Sequence, residues 1–118
     1  MQKNSINKVI LIGHVGSDPE VRYTPSGASI TSFSLATNEV WINDDKEKQE
    51  RVEWHSIIAW NKLADFSKEY LSKGQLIYIE GRLQTRSWID KEENSRRITE
   101  IICTTITPLE WKNDINKP

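Results

Sequence analysis

Gln75-Leu76-Ile77-Tyr78-Ile79-Glu80-Gly81-Arg82-Leu83-Gln84-Thr85-Arg86-Ser87-Trp88 is the stretch on which the fold turns. Ile77, Ile79, Gly81 and Leu83 face one way along it, and Tyr78, Glu80, Arg82, Gln84, Arg86 and Trp88 face the other. A period of two held this long marks a β-strand with one face in a core. Just upstream, Asn61 can cap a helix whose Leu63, Phe66, Tyr70 and Leu71 share one face, and Gly74 after Lys73 stops it. Residues 52–60 carry large apolar side chains on both parities, Val52, Trp54, Ile58 and Trp60 against Ile57 and Ala59, which predicts a central strand partly covered on both sides. Residues 29–38 alternate again, with Phe33 and Leu35 on one side, and the charged stretch 43–50 reads as a long hairpin loop. Asp18-Pro19 and Thr24-Pro25-Ser26-Gly27 are turn chemistry around a short extended piece at 20–23. The first strand spans 6–15, where Gly13 after Val9-Ile10-Leu11-Ile12 implies a bulge or a bend. Downstream of Trp88, a charged loop leads into a β-branched strand at 98–107 that Pro108 ends.

Five strands with one helix between the third and fourth is the order of an OB-fold, an all-β, five-stranded Greek-key barrel. Residues 1–108 make that single domain and 109–118 a short, loose polar tail in which Trp111 serves as a packing anchor. With 36% hydrophobic and 28% charged residues the chain has an ordinary globular composition, and no apolar run nears the roughly 20 residues of a membrane helix. The first residues lack the layout of a secretory or transit signal, which points to the cytoplasm. Cys103 is the single cysteine and lies in an apolar run, so it makes no internal disulfide, supplies too few thiols for zinc, and reads as inert core. The two histidines, His14 and His55, stand on different strands outside any metalloprotease spacing, and no phosphate-binding loop or nucleophile elbow is present. Asp44 and Asp45 lack the glycine and terminal glutamate of a calcium loop. These features predict a binding protein with no catalytic residues, metal or cofactor.

A net charge of −1 argues against a phosphate binder until the charge is followed along the chain. Acids dominate from Glu39 to Glu53, whereas Arg82, Arg86, Lys91, Arg96 and Arg97 outnumber Asp90, Glu92 and Glu93 between 82 and 97. Trp88 falls on the polar face of its strand, in register with Arg82 and Arg86, and a large exposed ring there asks for a ligand. Unpaired bases fit: each stacks on an indole for about 1–3 kcal/mol while arginines neutralise the phosphates, and no base is read. Trp41 stands at the rim of the long loop, and Trp54 and Trp60 share a parity about 20 Å apart at the rise of a strand. A tryptophan in a strand is ordinarily core, so Trp54 and Trp60 stay open between core and surface, and Arg82 and Arg86 alone would be a solvated face. His55 reads as a packed or interface residue. Three rival readings remain: another OB-fold binding role, a nuclease needing a carboxylate cluster for a divalent ion, and a carbohydrate module stacking sugars.

Several ordered segments together resemble the bacterial single-stranded DNA-binding protein family. They are Asn7-Lys8-Val9-Ile10-Leu11-Ile12-Gly13, Asp18-Pro19-Glu20-Val21-Arg22-Tyr23, Phe33-Ser34-Leu35-Ala36-Thr37-Asn38, Glu53-Trp54-His55, Tyr70-Leu71-Ser72-Lys73-Gly74, and Tyr78 to Leu83 with Thr85-Arg86-Ser87-Trp88. The resemblance implies an OB-fold homotetramer that wraps single-stranded DNA in replication, recombination and repair. It places the stacking aromatics on Trp41, Trp54, Trp60 and Trp88, with tryptophan at 60 where the family commonly has phenylalanine. It makes His55 a subunit-interface residue and puts Arg22, Lys62, Lys73, Arg82, Arg86 and Arg97 near the DNA. The family's linker and acidic tip, which dock other repair and replication proteins, have no counterpart in Asn113-Asp114-Ile115-Asn116-Lys117-Pro118, which leaves two alternatives, a trimmed C-terminus or a version of the protein without that docking device.

Overall fold

The computed structural model of the chain describes residues 2–111, and most of the loose tail expected at 109–118, from 112 on, lies outside them. In chain order the elements are β1 (Val9–Val15), β2 (Glu20–Tyr23), β3 (Ser29–Ile42), β4 (Lys48–Trp60), α1 (Lys62–Tyr70), β5 (Leu76–Ile89) and β6 (Ser95–Pro108). The strands are hydrogen-bonded in the order β1-β5-β6-β4-β3-β2, and β1 also meets β3, so β1, β5, β6, β4 and β3 close a five-stranded barrel. The β4–β6 pair is parallel and the rest are antiparallel. Short β2 lines the start of β3, and α1 follows the third barrel strand, as the OB order requires.

Leu35, Ile57, Ala59, Ile77 and Ile79 fill the barrel with Val15, Phe33, Ile101, Cys103 and Ile106 around them. Each fully buried isoleucine or leucine contributes about 1.5–3 kcal/mol by leaving water. Leu63 and Phe66 of α1 pack on this core, and Thr31 on β3 fixes the helix by donating its hydroxyl to the Ala64 carbonyl at 2.9 Å.

Four local expectations need correction. β1 begins at Val9, not residue 6, because the Asn7 side chain takes over the ladder: its amide donates to Leu83 O and accepts from Leu83 N, both at 2.8 Å. Gly13 carries no bulge, since its register with β5 is unbroken; a Cβ there would lie 2.3 Å from the Ala36 carbonyl oxygen, where β1 crosses onto β3. The register shift falls instead at Glu80/Gly81, opposite Thr105 and Cys103. Asn61 precedes α1 but makes no side-chain cap, because its φ of 53° turns the backbone and its carbonyl accepts from Asp65 N at 2.9 Å. The loop expected at 43–50 shrinks to 43–47, with β3 and β4 running on as a two-stranded arm. β5 and β6 form a second arm out to Ile89 and Ser95. Beyond Pro108, Leu109 and Glu110 donate to Leu76 O at 2.9 and 3.2 Å, and Trp111 stands edge-on to Tyr70 with centroids 6.3 Å apart, the anchor expected of it.

Candidate nucleic-acid interface

Cross-strand register assigns every side chain to a face. On β4, Ile57 and Ala59 enter the core, which turns Trp54, Ser56, Ile58 and Trp60 outward. Their neighbours on β3 are Ala36, Ser34, Ser32 and Ile30, and on β6 Ile102 lies beside Ile58. Beyond β6, Arg82, Gln84, Arg86 and Trp88 of β5 stand opposite Ile102, Glu100, Ile98 and Arg96. One continuous outward face therefore runs across β3, β4, β6 and β5.

That face is grooved. Arg22, Ile30, Ile58, Trp60, Arg82, Gln84, Arg86, Glu100 and Ile102 line a depression of ≈ 460 Å³. A second, of ≈ 300 Å³, shares Arg22, Ile58, Arg86 and Glu100 with it and continues past Ser17, Ser34 and Ser56. Near Ser34 the Trp54 ring lies over Gly16, where an added Cβ would come within 2.2 Å of Trp54 Cζ3. At the opposite side Arg86 Cζ sits 4.8 Å from the Trp88 ring centroid. Trp54, Trp60 and Trp88 are 62%, 42% and 42% exposed, so the question between core and surface is answered by surface. Ile58 obscures the parity of β4 in the sequence because it is buried on the outward face as the groove floor.

The structure does not gather every expected residue here. Trp41, 41% exposed, stands at the rim of the shortened loop, two residues before it, but on the reverse face of the β3–β4 arm beside Glu39 and Arg51. Arg51 bonds Glu39 at 2.8 Å and Glu53 at 3.3 Å, with its Cζ 6.0 Å from the Trp41 centroid. Arg97 pairs with Ser87, which puts it on the reverse of the β5–β6 arm from Trp88. Lys62 is exposed at the start of α1, two residues after Trp60. Lys73 lies in the turn before β5, its backbone N–H donating to Asp18 Oδ1 at 2.9 Å. His55 is half-buried opposite Leu35 and hydrogen-bonded to Thr37 Oγ1 at 2.9 Å, on the other side of β4 from Trp54.

Two groove residues escape the sequence reading. Gly16 looks like an ordinary turn glycine, and nothing local reveals the ring above it. Glu100 does leave a signal: an acid set among β-branched residues between Thr99 and Ile101. It is only 7% exposed and binds Arg86 Nε through Oε1 at 2.8 Å. Arg82 donates to the neutral Gln84 Oε1 at 2.9 Å, and among the described residues neither Arg82 nor Arg22 has a carboxylate partner. Burial pushes the Cys103 thiol up to about 12, which keeps it an unreactive core group. Among the described residues no group of His, Cys, Asp or Glu is placed to hold a metal ion, and no helix is long and apolar enough to cross a membrane. A groove with aromatic rings in and beside it, arginines along it and a floor of Ile58 and the neutralised Glu100 can take a flexible polyanion that carries flat rings.

Comparison with known proteins gives the same direction. Residues 6–109 match the model of the single-strand binding protein family. The chain is 52% identical over 109 residues to single-stranded DNA-binding protein 1 of Chlorobaculum tepidum, covering 92% of this chain and 67% of that protein. It also superposes on the solved complex of Plasmodium falciparum SSB with ssDNA at a TM-score of 0.83 and 34% identity, covering 93% of this chain and all of that one.

Proposed function

Because the chain belongs to the single-strand binding protein family, we propose that it binds and protects single-stranded DNA, without regard to sequence, in bacterial replication, recombination and repair. It does so as a non-catalytic homo-oligomer, a tetramer, in the cytoplasm. The observation that carries the reading is the single outward face that brings Arg22, Trp60, Arg82 and Arg86 round one groove, with the Trp54 and Trp88 rings beside it, over Gly16 and against Arg86. Bases stack on the three rings while Arg22 and Arg82 meet the phosphates between them, and Lys62 extends the positive lining beyond Trp60. Trp41, Lys73 and Arg97 join the path where the strand wraps past the arms and the turn before β5. His55 serves the contact between subunits.

The test is intrinsic tryptophan fluorescence during titration with oligo-dT, with duplex DNA as the control. Deep quenching by oligo-dT and little by duplex is expected, with a residual signal from Trp111, which packs on Tyr70 away from the groove. Trp88→Ala should lose about 1–3 kcal/mol of affinity with its thermal melt unchanged. Absence of quenching by oligo-dT would remove the platform, and unchanged affinity in the variant would remove Trp88 from it.

A further inference from the structure

A buried carboxylate on the floor of a groove built for a polyanion is out of place on charge grounds, and Glu100 is such a group. Its side chain is 9% exposed, whereas that of its partner Arg86 is 55% exposed. Arg86 Nε holds Glu100 at 2.8 Å while the same guanidinium lies 4.8 Å from the Trp88 centroid. A carboxylate withdrawn from water this far requires its cation, because breaking such a pair leaves an uncompensated charge. The guanidinium is thereby held by one edge and rests with the indole against it, an arrangement its planar, delocalised charge favours. Of the groove's three arginines, Arg86 alone has a carboxylate partner among the described residues.

Resting on the single-strand reading above, we propose that Glu100 is a positioning residue that cancels the charge of Arg86 and makes its guanidinium a support for the Trp88 indole, so that Arg86 steadies a stacking ring and does not bind a phosphate. The groove then has two arginines for phosphates, Arg22 and Arg82, and a third that serves aromatic geometry.

The salt dependence of oligo-dT binding reads this directly, since each phosphate neutralised on a single strand adds about 0.7 to the slope of log K against log salt concentration. Glu100→Gln keeps the shape and an acceptor for Arg86 but frees its charge. It should steepen the slope by about 0.7 and tighten low-salt binding roughly three- to tenfold. In Arg86→Gln/Glu100→Gln the slope should return to the wild-type value while affinity falls, because the ring has lost its support. Arg86→Lys provides a reading that leaves the buried carboxylate paired: it keeps the charge but cannot lie flat on an indole, so affinity and quenching should fall at a constant slope. A wild-type slope in Glu100→Gln, or a double variant shallower than wild type by about 0.7, would make Arg86 a phosphate ligand and overturn the proposal. So would an Arg86→Lys protein that binds and quenches like wild type. Failure of the wild type to bind oligo-dT at all would instead strike the single-strand reading itself.

Discussion

Two glycines three residues apart do different work, and what an added methyl would touch decides which. At Gly13 the obstacle is the Ala36 carbonyl oxygen, 2.3 Å from an ideal Cβ and part of the β1–β3 crossing that closes the barrel. Backbone in a closed sheet cannot step aside, so Gly13→Ala should destabilise the fold by about 1–3 kcal/mol, read as a lower midpoint in urea. At Gly16 the obstacles are the Trp54 ring, 2.2 Å away, and the Ser34 hydroxyl, 2.6 Å away. Both are side chains, and an indole that is 62% exposed can swing into solvent. Gly16→Ala should therefore keep its stability within about 0.5 kcal/mol, as surface changes commonly do, yet bind oligo-dT more weakly because one stacking ring has left its seat. A Gly16→Ala protein that loses stability as Gly13→Ala does, or that keeps full affinity, would show that Trp54 is not seated there. No sequence rule separates these glycines, since each needs a partner brought in from a strand distant in the chain.

At the scale of elements, the two arms end in the same device. Asn43 Oδ1 accepts from the N–H groups of Asp45 and Glu47, and Asp90 Oδ1 from those of Glu92 and Asn94. Lys46 and Glu93 take the left-handed conformation at φ 62° and 65° in corresponding positions. Only Asp90 carries charge, and the Asn94 N–H first, then the Arg96 guanidinium, hold its carboxyl below the ordinary 3.8. A carboxylate whose folded value is depressed supports the fold fully above its unfolded value and loses that support as pH falls through the folded one. The Asp90 carboxyl carbon should accordingly titrate below pH 3.8 by NMR, and Asp90→Asn, which copies the Asn43 turn, should remove that component of acid sensitivity; a midpoint at or above 3.8 would refute the account. These arms also mark where sequence reading ends. β5 is legible because Ile77 and Ile79 face a dry core and Tyr78 and Arg82 do not, whereas both faces of 39–53 are wet, and charged residues such as Arg51 serve a strand there as well as a loop. Trp88 beside Arg86 can be read from parity alone. Trp41 and Arg97 cannot be placed, because which side of an arm faces the groove depends on register with a strand elsewhere in the chain.

The described residues span 53 × 38 × 38 Å, drawn out by arms that no core supports along their length. Its barrel also closes unevenly. β1 pairs with β5 from Val9 to His14 but meets β3 only at His14 and Val15, so among the described residues the other edge of 9–13 is unpaired. Ile10 and Ile12 lie exposed on the outward side of that strand, beside Tyr78 and Glu80 of β5, with Lys8 bonded to Glu80 at 2.9 Å at the border. An open edge with an apolar face is a hazard in a monomer and a natural two-fold contact in an oligomer, where the same strip meets itself. The assembly proposed for this chain therefore has a physical place to form, on the side of the barrel away from the groove residues of β4 and β6. Ile10→Glu/Ile12→Glu would set four carboxylates against one another across a two-fold axis while leaving the core residues Leu35, Ile57 and Ile79 untouched. Sedimentation at micromolar concentration should give a multiple of one chain's mass for the wild type, four by the family reading, and a smaller species for the variant with a native circular dichroism spectrum. The variant should still quench with short oligo-dT, since the groove lies within one chain, but lose the tighter hold on long strands that linked sites provide. A wild type that sediments as a single chain would end the oligomer reading, and a variant that assembles like wild type would move the contact away from β1.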